Sequence, residues 1–209
     1  MKAVLISIKP QWCDLIASLK KTIEVRKTKP NLKVPFKVYI YCTQDKYVEF
    51  VNHNNWRGNG KIIGEFVCDK IETLFNTAGN AKNYMKDILP SILEKSCLTF
   101  CEFQSYANSR ADKNSIYGWH ISNLTIYDVP KELSEFYKCG FSTTEELEDD
   151  LCNYCSATDY GEHKGYGTPN GYVSCEGRFC DKAYQKYLDD NFLITRPPQS
   201  WCYVESLVS

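Results

Sequence analysis

Apolar residues in this chain come in strand-length stretches that alternate with polar ones and are cut short by proline, glycine or polar loops. That pattern restricts the fold to one built from several short, half-buried strands. Residues 3–7 form an apolar run of strand length. Thr22-Ile23-Glu24-Val25-Arg26 alternates with period two, placing Ile23 and Val25 on one face and Thr22, Glu24 and Arg26 on the other. Residues 36–42, 61–71 and 117–127 read as further strands, the last ended by Val129-Pro130. Pro10 suits a helix start, and Trp12, Leu15, Ile16 and Leu19 recur at helical spacing through Lys20. Residues 80–93 and 94–108 read as helical, with Leu89-Pro90 marking a break. The order predicts an α+β fold: a small, mostly antiparallel β-barrel with flanking helices.

With 43% hydrophobic and 24% charged residues, the chain has the balance of a globular protein. The net charge of −1 provides no bulk attraction to a polyanion, so nucleic-acid binding would need a local basic patch. The apolar start ends at Lys9-Pro10, too short for a signal peptide, and no stretch approaches the ~20 apolar residues of a spanning helix. The expected location is cytoplasmic, where eleven cysteines serve as thiols or metal ligands rather than disulfides. Cys13, Cys42, Cys68 and Cys202 lie in core-like segments, while Cys97 and Cys101 have the spacing of one helical face.

Composition shifts after residue 138. Residues 1–138 and 190–209 are expected to form the barrel domain, interrupted at 139–189 by a Cys-rich insertion. Cys152-x2-Cys155 followed by Cys175-x4-Cys180 has the arithmetic of a tetrahedral zinc site, with His163 or Cys139 as substitute ligands. The segment between the two pairs is too polar and glycine-rich to build its own core, which favours a structural zinc staple. Unrelated thiols and disulfides are the alternatives.

Lys21, Glu24 and Arg26 emerge within six residues at the helix-to-strand junction. A carboxylate between two cations can fix their geometry and present donors to an anion. The plain alternative is a solvated strand face with a surface salt bridge. Strict alternation would put Lys21 on the face opposite Glu24 and Arg26, so it joins them only if the turn at 19–21 breaks the register.

The stretch resembles the signature of the ASCH (activating signal cointegrator homology) family, G-x-K-x-x-E-x-R after a short helix. Lys21, Glu24 and Arg26 match, and Leu19 stands at the glycine position. Ser7-Ile8-Lys9-Pro10-Gln11-Trp12, Tyr39-Ile40-Tyr41-Cys42-Thr43, Gly64-Glu65-Phe66-Val67, Gly118-Trp119-His120-Ile121 and Arg196-Pro197-Pro198-Gln199-Ser200-Trp201 are similar to its flanking and later blocks. The resemblance implies a PUA-like barrel with a cleft lined by the charged motif, holding RNA, DNA, a nucleotide or a modified nucleoside.

Some relatives are N4-acetylcytidine amidohydrolases or are assigned ribonuclease activity. The amidohydrolases use the motif Lys, a Thr three residues later and a separate Glu. Here Glu24 occupies the Thr position, Thr22 is the nearest hydroxyl, and Glu65 and Glu72 are candidates for the separate carboxylate. Three functions are therefore carried forward. The first is a nucleotide- or nucleic-acid-binding module using Lys9, Trp12, Lys21, Glu24, Arg26, Trp119, His120 and Trp201. The second is a hydrolase with Lys21 and Glu24 as catalytic residues, and the third an adaptor binding a protein partner through the insertion. Trp12, Trp119 and Trp201 are each either core or a stacking face for a base. Trp56, in a polar loop, is either an anchor or an exposed stacking residue. His120 is a general acid/base or a structural histidine.

Overall fold

The computed structural model describes residues 2–44, 60–76, 89–108, 115–140 and 181–206. The described residues form an α+β protein of two compact units, Met1–Leu133 with Arg196–Ser209, and Ser134–Thr195. The first holds eight strands: β1 (Lys2–Ile8), β2 (Ile23–Arg26), β3 (Phe36–Cys42), β4 (Ile62–Cys68), β5 (Ile71–Asn76), β6 (Ser115–His120), β7 (Ser122–Lys131) and β8 (Trp201–Glu205). Three helices accompany them: α1 (Pro10–Ala17), α2 (Leu89–Ser96) and α3 (Phe100–Asn108).

The strands make a five-stranded sheet, β7-β4-β3-β1-β8, and a three-stranded sheet, β2-β6-β5. All pairings are antiparallel except β1 with β3. The described pairings do not close into one continuous barrel. The two sheets share a core instead: Trp119 of β6, fully buried, packs with Val4, Ile6, Val38, Ile40 and Phe66 of the larger sheet. Its ring meets Phe36 edge-on, with centroids 6.1 Å apart. The other face of β2-β6-β5 is covered by α2 and α3, where Ile23, Val25, Leu74 and Ile116 pack on Ile92 and Phe103. The period-two alternation of β2 thus sends Ile23 and Val25 toward the helices and Glu24 and Arg26 the other way. Gly64 permits the close approach of β7, since a Cβ there would lie 2.4 Å from the Thr125 carbonyl oxygen.

Three segments differ from the pattern read in the sequence. The stretch 61–71 continues into a second strand, with β4 and β5 separated at Asp69-Lys70. The stretch 117–127 is likewise two strands, and the bend at Ile121 carries the chain from one sheet to the other. Pro130 lies inside β7 because β7 is an edge strand, where a missing N–H costs no ladder bond. The helix break expected at Leu89-Pro90 falls instead at 97–99. Pro90 sits in the first turn of α2, where its lack of an N–H is harmless. Cys97 adopts a left-handed φ of 55°, and Thr99 then caps α3. The Thr99 hydroxyl accepts from the Glu102 amide, while Glu102 Oε2 accepts from the Thr99 amide at 2.8 Å, a reciprocal capping box. Cys97 and Cys101 therefore do not share a helical face.

Cys13, Cys42 and Cys68 are buried thiols in the core. No helix among the described residues is long and apolar enough to cross a membrane. In the second unit, α4 (Asp181–Asn191) forms within what read as insertion, burying Tyr187 and Leu188. A bridge between Tyr137 and Leu193 closes the described part of that unit. Trp56, Cys152, Cys155, His163, Cys175 and Cys180 lie outside the described residues.

Candidate nucleotide-binding cavity

The charged motif is positioned by a turn that the sequence signalled only indirectly. Helix α1 ends at Ala17, and Leu19 takes a left-handed φ of 58°. The Leu19 amide donates to the Ile16 carbonyl and the Lys20 amide to the Leu15 carbonyl, both at 2.9 Å. This pair of bonds is a Schellman ending, whose left-handed residue is usually glycine because a Cβ there meets the backbone. The Lys21 amide also donates to the Leu15 carbonyl, so Lys21 lies before β2 rather than in its register. Lys21 is thereby released from alternation and swings to the face of Glu24 and Arg26.

The three residues form one buried set, 3%, 6% and 9% exposed respectively. Glu24 stands between the cations, Oε2 at 3.3 Å from Lys21 Nζ and Oε1 at 3.0 Å from Arg26 Nε. The second contact is an ion pair without hydrogen-bond alignment, because the Nε–H has no acceptor. Lys21 Nζ also donates to the Ser96 carbonyl at 2.7 Å and lies 5.2 Å from the centre of the Trp12 ring. Arg26 Nη2 donates to the Ser7 carbonyl at 2.6 Å, and Nη1 reaches Ser200 Oγ at 3.4 Å. These bonds tie β2 to β1, to the end of α2 and to the segment before β8. The plain alternative of a solvated strand face is excluded by burial.

The set forms part of the wall of a cavity of about 490 Å³, within the range of small-molecule sites. Lys9, Gln11 and Trp12, from the start of α1, line one side, and Leu98, Glu102 and Tyr106 line another. Thr43 and Gln199 complete the rim. The first turn of α1 has neither a side-chain cap nor an acidic residue, so its amide dipoles add positive potential. Glu102 adds an anionic carboxylate to the cavity wall. Its carboxylate is held by the Thr99 amide and hydroxyl, which also lower its pKa from the ordinary value.

Lys9, Trp12, Lys21, Glu24 and Arg26 are thus brought together, and Ser7, Gln199 and Tyr106 join them without having been singled out in the sequence. Trp119, His120 and Trp201 do not line the cavity. Trp119 is fully enclosed between the sheets. Trp201 packs 6.0 Å from Trp119, and its indole N–H donates to Thr28 Oγ1. His120 points to the opposite face from Trp119, where its ring pairs with Glu72. Burial alone would raise the Glu72 pKa, but its bonds with His120 and Lys70 outweigh this and lower it. Glu65 lies on β4, bound to Lys37 and Tyr127, and Thr22 is exposed with its amide on the Lys95 carbonyl. Neither these two nor Glu72 lines the cavity.

No family model matches the chain, and no curated protein matches it. The chain is similar to solved structures of ASCH from Zymomonas mobilis. The unmodified protein is 15% identical with a TM-score of 0.43, over 91% of this chain and 95% of that one. A tyrosine-to-phenylalanine mutant is 14% identical with a TM-score of 0.45, over 92% and 99%. A serine-to-alanine mutant is 17% identical with a TM-score of 0.45, over 64% and 78%.

Proposed function

We propose that the cavity binds one nucleotide unit, free or within a nucleic acid. Its phosphate would lie toward Lys9, Arg26 and the first turn of α1, and its base against Trp12. The observation that carries this reading is the buried cation–carboxylate–cation set bordering a cavity of nucleotide size. Two cations against one carboxylate leave the set net positive, and Lys9 at the rim offsets the Glu102 carboxylate, so the lining keeps a net positive charge. Inside a partly dry cavity such charges act far more strongly than on an open surface. A whole-chain charge of −1 makes this attraction local to the site. Trp12 and Tyr106 on the walls supply faces for stacking.

The hydrolytic alternative requires Lys21 or Glu24 to exchange a proton with a substrate. Lys21 Nζ is already a donor to Ser96 and a partner of Glu24, and Glu24 is shared between two cations. In this arrangement Glu24 fixes Lys21 and Arg26 as cationic donors, which suits holding an anion. The zinc staple at Cys152, Cys155, Cys175 and Cys180 is proposed from spacing alone, as is docking of a protein partner on that insertion.

Calorimetric titration with nucleosides and their 5′-monophosphates, modified bases included, tests the reading. The monophosphates should bind more tightly than the nucleosides, and Lys21→Met or Arg26→Met should abolish binding while near-native circular dichroism is retained. Equal affinity for nucleoside and monophosphate, or binding unchanged in both variants, would refute it. Acetate release from N4-acetylcytidine, or RNA cleavage, lost in Lys21→Met, would move the assignment to a hydrolase.

A further inference from the structure

Residues 26–37 contain five cationic side chains, Arg26, Lys27, Lys29, Lys33 and Lys37, and no acidic one. In a chain of net charge −1 this is a strong local asymmetry. Two of the five are engaged internally: Arg26 in the cavity wall and Lys37 with Glu65 at 2.9 Å. The segment that carries the others follows β2, which ends at Arg26 in the cavity wall, and leads to β3 at Phe36. Lys27 stands 4.5 Å from the centre of the Tyr106 ring, which itself lines the cavity. Thr28 accepts the Trp201 indole N–H, and Lys29 stands 5.4 Å from the centre of the Tyr117 ring. The Asn31 amide donates to the Tyr203 hydroxyl at 2.7 Å, and Lys2 covers the Tyr203 ring from β1 at 4.1 Å. Lys2, Lys29 and Lys33 are exposed.

We infer that this basic, aromatic-backed strip is a track for the sugar-phosphate backbone of a single-stranded nucleic acid, one nucleotide of which occupies the cavity. The inference rests on the nucleotide reading of the cavity and extends it to a polymeric ligand. Ammonium groups meet a run of phosphates as point charges, and the tyrosine rings beneath Lys2, Lys27 and Lys29 hold those charges by cation–π contact. A duplex is disfavoured because the cavity admits one base that has left its partner. The aromatic backing anchors the strip, since Trp201, Tyr203 and Tyr117 all pack on the main core. Lys2 and Lys29 are therefore held against a fixed surface. Lys2 faces Glu205 across the β1–β8 ladder and so contributes less than Lys29 and Lys33.

The test compares the full chain with the triple variant Lys2→Gln, Lys29→Gln, Lys33→Gln. Binding of a fluorescently labelled oligouridylate of about ten nucleotides is followed by anisotropy across a salt series. Each phosphate contact removed should flatten the slope of log K against log salt by about 0.7, giving a change of about 1.4 from Lys29 and Lys33 and at most about 2 with Lys2. Uridine monophosphate should bind the variant as it binds the native chain, because the cavity is untouched. An unchanged slope, or no binding of the oligonucleotide by a chain that does bind the monophosphate, overturns the track and leaves the cavity reading standing. Competition by oligoglutamate of equal charge, as effective as unlabelled oligouridylate, also overturns it and assigns the strip to acidic protein segments. Loss of monophosphate binding in Lys21→Met is the separate criterion for the cavity itself.

Discussion

Replacing Glu24 by glutamine tests whether the motif is the buried set described here. Glutamine keeps the volume and one carbonyl acceptor but removes the charge that Lys21 and Arg26 share at 3.3 Å and 3.0 Å. The two cations, 3% and 9% exposed, would then be left without a counter-charge. Breaking a buried ion pair from one side costs about 3–5 kcal/mol. Here the Ser96 and Ser7 carbonyls remain as acceptors, and the cavity gives water some access. Both effects place the loss at the lower end, about 3 kcal/mol. The control is Glu132→Gln, which breaks the pair with Lys61, whose side chains are 57% and 38% exposed. Exposed pairs contribute roughly 0–1 kcal/mol. With a urea m-value of about 1–3 kcal/mol/M, the Glu24 variant should unfold about 1–2 M earlier than the control. Coincident urea midpoints for the two variants would refute the account of a buried, mutually dependent set. Lys21 and Arg26 substitutions should likewise cost more than the 1 kcal/mol or so expected of surface positions.

At Leu19, glycine should be more stable than alanine by about 1 kcal/mol, the reverse of their order inside a helix, because the left-handed turn penalises any Cβ. Urea unfolding of Leu19→Gly and Leu19→Ala decides it, and alanine equal to or above glycine would refute the strained turn. Burial would raise the Glu65 pKa, but hydrogen bonds from Tyr127 and Lys37 outweigh it and set the pKa below 4.5, so its stabilisation is present above that value and lost as pH falls through the lower folded value. Glu65→Gln should therefore flatten the fall in urea midpoint on acidification, and parallel loss in both proteins would show that the carboxylate does not titrate in this way. Metal analysis of protein purified without added zinc should give about one equivalent, lost in Cys152→Ser with Cys155→Ser, and a metal-free native protein would end the zinc proposal.

The strands were legible where one face of a strand meets the core and the other does not. Residues 36–42 coincide with β3, and 22–26 contain β2. The same pattern concealed the turns at Asp69-Lys70 and Ile121, because alternation runs on through a tight connection and carries no record of which sheet comes next. The charged residues of the site were legible as a cluster, but their burial was not, since spacing does not say what closes over a strand. Trp119 and Trp201 read more readily as core than as stacking residues, and the packing of Trp119 between the sheets and of Trp201 against it agrees with the core reading. Helix α4 was obscured by the cysteine and glycine content before it.

Lys21 shows most clearly how local geometry overrides pattern. It is an odd number of residues from both Glu24 and Arg26, so uninterrupted alternation would hold it on the far face. The chain escapes that constraint by spending the Lys20 and Lys21 amides on one acceptor, the Leu15 carbonyl, and by giving the Thr22 amide to the Lys95 carbonyl at 2.8 Å. Only then does β2 begin, at Ile23. The strain at Leu19 and the convergence of the motif are therefore one event. A side chain stands in a glycine conformation there because the bonds on either side fix the turn, and that turn sets Lys21 against Glu24.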